Sequence, residues 1–221
     1  MRGVRKIMQT GGRMICAGYS DDASRGAEDT HGVLGLCRQG ADDMRGVRRI
    51  TYTALFTALI AAGAFVRIPL PTAPLTLQLQ FTNLAGLLLG KKYGAAAALA
   101  YMLAGLAGIP VFAGGGGIGY VLRPTFGYLA GFVAGAYAAG AISERKKTFK
   151  AFALASVANI LIVYAIGAAY YFFISKYYLA APIGIGALFL YNFALPAPGD
   201  FILCLLSARV SMRLLPVIKL D

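Results

Sequence analysis

Acidic residues are scarce in this chain and badly spread. Six of the nine precede Met44, and between Met44 and Leu220 only Glu144 and Asp200 remain. Glu144 sits in the basic cluster "SERKKTFK" at 143–150, which leaves Asp200 isolated in an apolar run. Histidine occurs once, as His31. With no two carboxylates together and no base beside a nucleophile, no catalytic residue is assigned and the chain is not read as an enzyme. Cysteine occurs three times. Cys16, His31 and Cys37 lack zinc-ligand spacing, and Cys204 lies inside an apolar run, so neither a metal, a cofactor nor a disulfide framework is expected. Strict period-two alternation is absent as well, which excludes a membrane β-barrel. The N-terminus is too polar for a secretory signal.

What is present is apolar length. The 221 residues are 58% hydrophobic and 14% charged, where a soluble domain averages about 25% charged. From Ile50 onward apolar residues fill whole stretches long enough for a hydrocarbon core of about 30 Å. In lipid the backbone must satisfy its own hydrogen bonds, so these stretches are helices. The fold class is an all-α integral membrane protein with six transmembrane helices, near 50–67, 77–90, 94–112, 124–142, 150–174 and 199–216. The connection 175–198 is also apolar, and its part 183–198 is read as a folded external loop or partly inserted helix, because a seventh span would export the C-terminal cations. Six spans leave only Arg67, Arg123 and Lys176 of the 21 basic residues outside, which puts the N and C termini in the cytoplasm. The net charge of +12 flanks spans and forms no single basic face, so it speaks for topology and anionic lipid and against nucleic acid. Residues 1–43 are polar and read as a disordered tail, and 44–221 as the transmembrane domain. "MRGVRKI" at 1–7 recurs as "MRGVRRI" at 44–50.

Two motifs mislead. "GGGGIG" at 114–119 has dinucleotide spacing but follows a membrane helix instead of a strand, and "GLLLGKK" at 86–92 is one residue short of a phosphate loop, with no Ser or Thr after its lysine. The chain therefore carries no ATPase of its own. Two stripes of small residues remain. Gly127, Gly131 and Gly135 mark a face where helices approach closely inside the bundle. Ala54, Ala58 and Ala62 mark another, for internal packing or for an external partner. Polar side chains gather in three connections on one side: Arg67, Thr76, Gln78 and Gln80; then Tyr120, Arg123, Thr125 and Tyr128; then Lys176, Asn192 and Asp200. Asp200 follows Pro198 and Gly199 as a helix cap would, yet an ionisable residue at membrane depth is also a candidate for function.

The proline loop "IPLPTAPLTLQ", the run "LAGLLLGKKYGAAAALAYMLAGLAGIPVFAGG", "RPTFGYLAGF" and "PAPGD", in this order, resemble the BioY family, the biotin-specific substrate-binding S component of energy-coupling-factor (ECF) transporters. The resemblance covers about 50–216. It implies a subunit for uptake of biotin, working with a transmembrane coupling subunit and two cytoplasmic ATPase subunits. It implies that Ala54, Ala58 and Ala62 dock the coupling subunit and that Arg123 and Asp200 are ligand-site residues; from the converging polar connections, Gln78, Thr125 and Tyr128 are expected to bind the ligand with them. Leu203 stands where the family often carries a lysine. The alternatives are another vitamin-like solute, or a membrane-embedded enzyme or assembly factor.

Overall fold

The computed structural model describes residues 29–68, 75–178, 186, 190 and 194–216. The readings placed on Cys16, on the prolines of 69–74 and on Asn192 lie outside these residues, as do the side chains of His31, Cys37 and Arg67. The connection 175–198 is described only in part.

Helix α1 spans Asp29–Phe65. Its backbone is helical from Asp29, inside the segment expected to be disordered. Elongation explains this, since each added residue brings one hydrogen bond once the following turns exist. A two-residue antiparallel pair follows, β1 (Arg67–Ile68) and β2 (Leu75–Thr76), with Arg67 opposite Thr76. Then come α2 (Gln78–Leu106), a 3-10 helix (Ile118–Leu122), α3 (Phe126–Ser143), α4 (Phe149–Tyr177) and α5 (Ala197–Leu214). The main compact unit is Thr51–Lys219; Met1–Ile50 belongs to a second unit.

The spans expected at 77–90 and 94–112 form one hydrogen-bonded run, broken at Gly90 by φ 80° and ψ −178°. Only glycine occupies that region readily. A Cβ on Gly94 would lie 2.7 Å from Gly86 Cα, although eight residues of straight helix span about 12 Å. The two arms of α2 therefore fold back on each other. Glu144 closes the turn: its Oε1 accepts from Lys91 N at 3.0 Å, and its Oε2 lies 3.5 Å from Lys91 Nζ. The second arm ends at Leu106, short of the expected 112. There the glycine loop takes over, with Gly117 N donating to Gly105 O at 2.8 Å and with positive φ at Gly108, Gly115 and Gly117.

Small residues join the remaining helices. Gly127, Gly131 and Gly135 are buried on α3 against α4, where added Cβ atoms would strike Tyr170, Val163 and Asn159. The internal-packing reading of that stripe is correct. Leu87, Ala139, Phe152, Ala155 and Ala208 bind α2, α3, α4 and α5 into one apolar cluster. The alanine stripe differs: Ala54, Ala58 and Ala62 are all exposed. Among the described residues, two helices, α3 and α4, are by themselves long and apolar enough to cross a membrane.

The exposure pattern is inverted relative to a soluble domain. Asn83, Asn159, Thr82 and Ser211 are wholly buried, whereas Leu154, Ile202 and Leu206 are more than half exposed. Such an outer surface suits lipid, and of the buried polar groups Asn83 bonds across helices to Ser156.

Candidate functional site

The first turn of α2 sends its two glutamines to different neighbours, because residues two apart face roughly opposite sides of a helix. Gln78 Nε2 donates to the Tyr101 hydroxyl, and its Oε1 accepts from Thr76 Oγ1 at 3.1 Å. Tyr101 in turn donates to Val111 O at 3.1 Å. An aromatic row continues from there: Tyr101 meets Phe112 edge-on at 5.5 Å, and Phe112 lies 4.6 Å from Tyr120. Tyr120 gathers two of the expected residues. The Arg123 guanidinium stands 5.3 Å from its ring centroid, and Thr125 Oγ1 donates to its hydroxyl at 3.3 Å. Arg123 is exposed and lies against Gly114, where an added Cβ would come within 2.5 Å of its Nη1.

Gln80 turns toward α5. Its Nε2 donates to the backbone carbonyl of Asp200 at 3.5 Å, and its Oε1 accepts from Ser207 Oγ at 3.0 Å. Asp200 is buried, and its Oδ2 accepts from the Tyr164 hydroxyl on α4. The capping expectation for Asp200 is thereby corrected. The N-cap is Pro196, the helix begins at Ala197, and Asp200 N already donates to Pro196 O at 3.0 Å. Pro198 sits within the first two helical positions, where its missing N–H costs nothing, so the start moves two residues upstream. The carboxylate keeps a first-turn place at the positive end of the dipole, but its partner is a side chain of another helix. Deeper in the bundle, Asn83 Nδ2 donates to Ser156 Oγ at 2.9 Å and lies 3.8 Å from Cys204 Sγ.

Of the expected ligand residues, Gln78, Arg123 and Thr125 thus belong to one contiguous row, whereas Asp200 contacts Gln80 and Tyr164 on another side of α2. Tyr128 is half-buried on α3, its hydroxyl enclosed and its ring against Gly167. Tyr101, Asn83, Tyr164 and Ser207 escape the sequence reading. A tyrosine, asparagine or serine within a span carries no sign of which neighbour it faces. Lys176, at the end of α4, stands over the Phe172 and Tyr177 rings. Among the described residues no three metal-ligating side chains cluster.

Among the described residues, a helical bundle that turns leucines outward and gathers amides, hydroxyls and the Asp200 carboxylate between its helices defines a membrane protein with a polar interior. The family follows from comparison: residues 36–219 match the model of the BioY family, and the chain belongs to it. The "Probable biotin transporter BioY" of Lysinibacillus sphaericus is 42% identical over 168 residues, which cover 75% of this chain and 86% of that relative. The "Biotin transporter BioY" of Thermotoga maritima is 43% identical over 122 residues, covering 55% and 72%. A crystal structure of the S-component for biotin from an ECF-type ABC transporter aligns with a TM-score of 0.66 at 27% identity, covering 76% of this chain and 91% of the other.

Proposed function

We propose that this chain is the substrate-binding membrane subunit of a biotin uptake system of the ECF type, and not an enzyme. The observation that carries the reading is the buried Asp200 carboxylate, held between α2, α4 and α5 in a chain of this family. Biotin offers two ureido N–H donors and a carboxylate. Asp200 accepts from the ureido group, Arg123 supplies the cation at the rim, and Gln78, Thr125 and Tyr128 complete the pocket. Charge-assisted hydrogen bonds of this kind exceed neutral ones in strength and give tight binding from few contacts.

Residues 44–221 form the binding domain, with the polar segment 1–43 outside it. The fold-back at Gly90 supports six crossings of the cell membrane from five helical elements, since each arm of α2 makes its own. The cation distribution supports both termini in the cytoplasm. The exposed stripe Ala54, Ala58 and Ala62 docks a transmembrane coupling subunit, which two cytoplasmic ATPase subunits drive. Labelled biotin added to the purified protein is expected to bind saturably and to be displaced by unlabelled biotin. Folded protein without detectable binding would end the biotin assignment and direct the search to another vitamin-like solute.

A further inference from the structure

Asp200 lies buried where α2, α4 and α5 meet. Among the described residues no lysine or arginine reaches ion-pair distance of it, and Leu203, one turn along α5, is apolar. An unpaired carboxylate in such surroundings needs hydrogen-bond donors. One comes from Tyr164, which sits mid-way along α4, is itself buried, and donates to Oδ2. Gln80 holds the other end of the residue by its backbone carbonyl, and Ser207 holds Gln80. The side chain and the main chain of Asp200 are thus tied from two different helices.

We propose that Tyr164 is a positioning residue for ligand recognition, a neutral donor that orients the Asp200 carboxylate toward the ligand's N–H groups in place of a cation. The idea rests on the ligand role of Asp200 given above. A neighbouring ammonium would compete with the ligand for the carboxylate lone pairs and spread its charge. A phenol hydroxyl satisfies one lone pair of Oδ2 and fixes the rotamer, leaving other lone pairs of the carboxylate to accept from the ligand. Because α4 and α5 each contribute one partner, the orientation is set by their packing before the ligand arrives, which lowers the ordering cost of binding.

The test is a double-mutant cycle on biotin affinity with Tyr164→Phe and Asp200→Asn. Tyr164→Phe removes one oxygen and keeps the ring, and is expected to weaken binding about tenfold, the scale of a hydrogen bond to a charged group. Asp200→Asn is expected to weaken it at least as much, and adding Tyr164→Phe to it should change affinity by less than about twofold. Multiplying effects, or an unchanged affinity of Tyr164→Phe beside a weakened Asp200→Asn, would overturn the positioning role alone. Unchanged affinity of Asp200→Asn would remove the ligand reading and the positioning role together. Uptake by cells carrying the intact transporter decides the matter if purified Tyr164→Phe proves unstable. A raised half-saturating biotin concentration with retained maximal rate supports the role, and an unshifted one overturns it.

Discussion

Arg123 shows how one side chain can be legible while its setting is not. Its place before the "PTFGYL" segment marks it in the sequence, but the Tyr120 ring beneath it and the room that Gly114 leaves beside it are products of the folded glycine loop. An exposed cation over an aromatic face contributes about 0.5–1 kcal/mol, so Arg123→Gln should cost little stability. If Arg123 meets the ligand's anion, the same substitution should weaken biotin binding about tenfold. Binding isotherms beside thermal unfolding of the purified variant check this, and equal losses in both would make Arg123 a structural residue. Asp200 teaches the converse. The sequence isolates it as the one carboxylate in an apolar run, but a cap and a ligand group look alike there, and only the folded helix start, with Pro196 as N-cap, removes the cap.

At the scale of elements, the Gly90 turn is the least replaceable feature. Its φ of 80° with extended ψ excludes ordinary side chains, and a Cβ there would also lie 2.5 Å from Glu144 Oε1. Gly90→Ala is expected to destabilise the protein by about 1–3 kcal/mol, read as a lower midpoint of thermal unfolding in detergent. Glu144→Gln should do much less, because it keeps an acceptor for Lys91 N and loses only a half-exposed ion pair, a contribution of about 0–1 kcal/mol. A larger loss from Glu144→Gln than from Gly90→Ala would mean that the carboxylate, and not the backbone, sets the turn. The sequence placed a basic break near Lys91 from charge alone. It could not tell that the break is a single residue, since nothing in "LLLGKKYG" distinguishes a tight reversal from a short loop until Gly86 and Gly94 meet.

At the scale of the whole molecule, the two small-residue stripes part company. The glycines of α3 are consumed by α4, whereas Ala54, Ala58 and Ala62 remain on the outside of the chain. Small side chains there would let a helix of a partner approach closely, as proposed above. Ala58→Trp is expected to abolish or sharply reduce biotin uptake by cells while leaving biotin affinity of the isolated subunit within about twofold. Loss of both would place the stripe inside the subunit's own packing.

Composition and periodicity were enough to determine a helical membrane protein, the approximate helices and the candidate residues Arg123 and Asp200, because helix formation in lipid depends on local apolar length and on backbone hydrogen bonds within one segment. The glycine stripe was legible for the same reason, as a face at helical spacing. The tertiary structure alone decided which neighbour each face meets. Contacts such as Tyr164 with Asp200, Gln80 with Ser207 and Asn83 with Ser156 join residues 36, 127 and 73 positions apart, and depend on how helices rotate against one another. That rotation is set by the sum of many small packing terms, among them the glycines of α3 against α4 and the reversal at Gly90, and no short stretch of sequence encodes it.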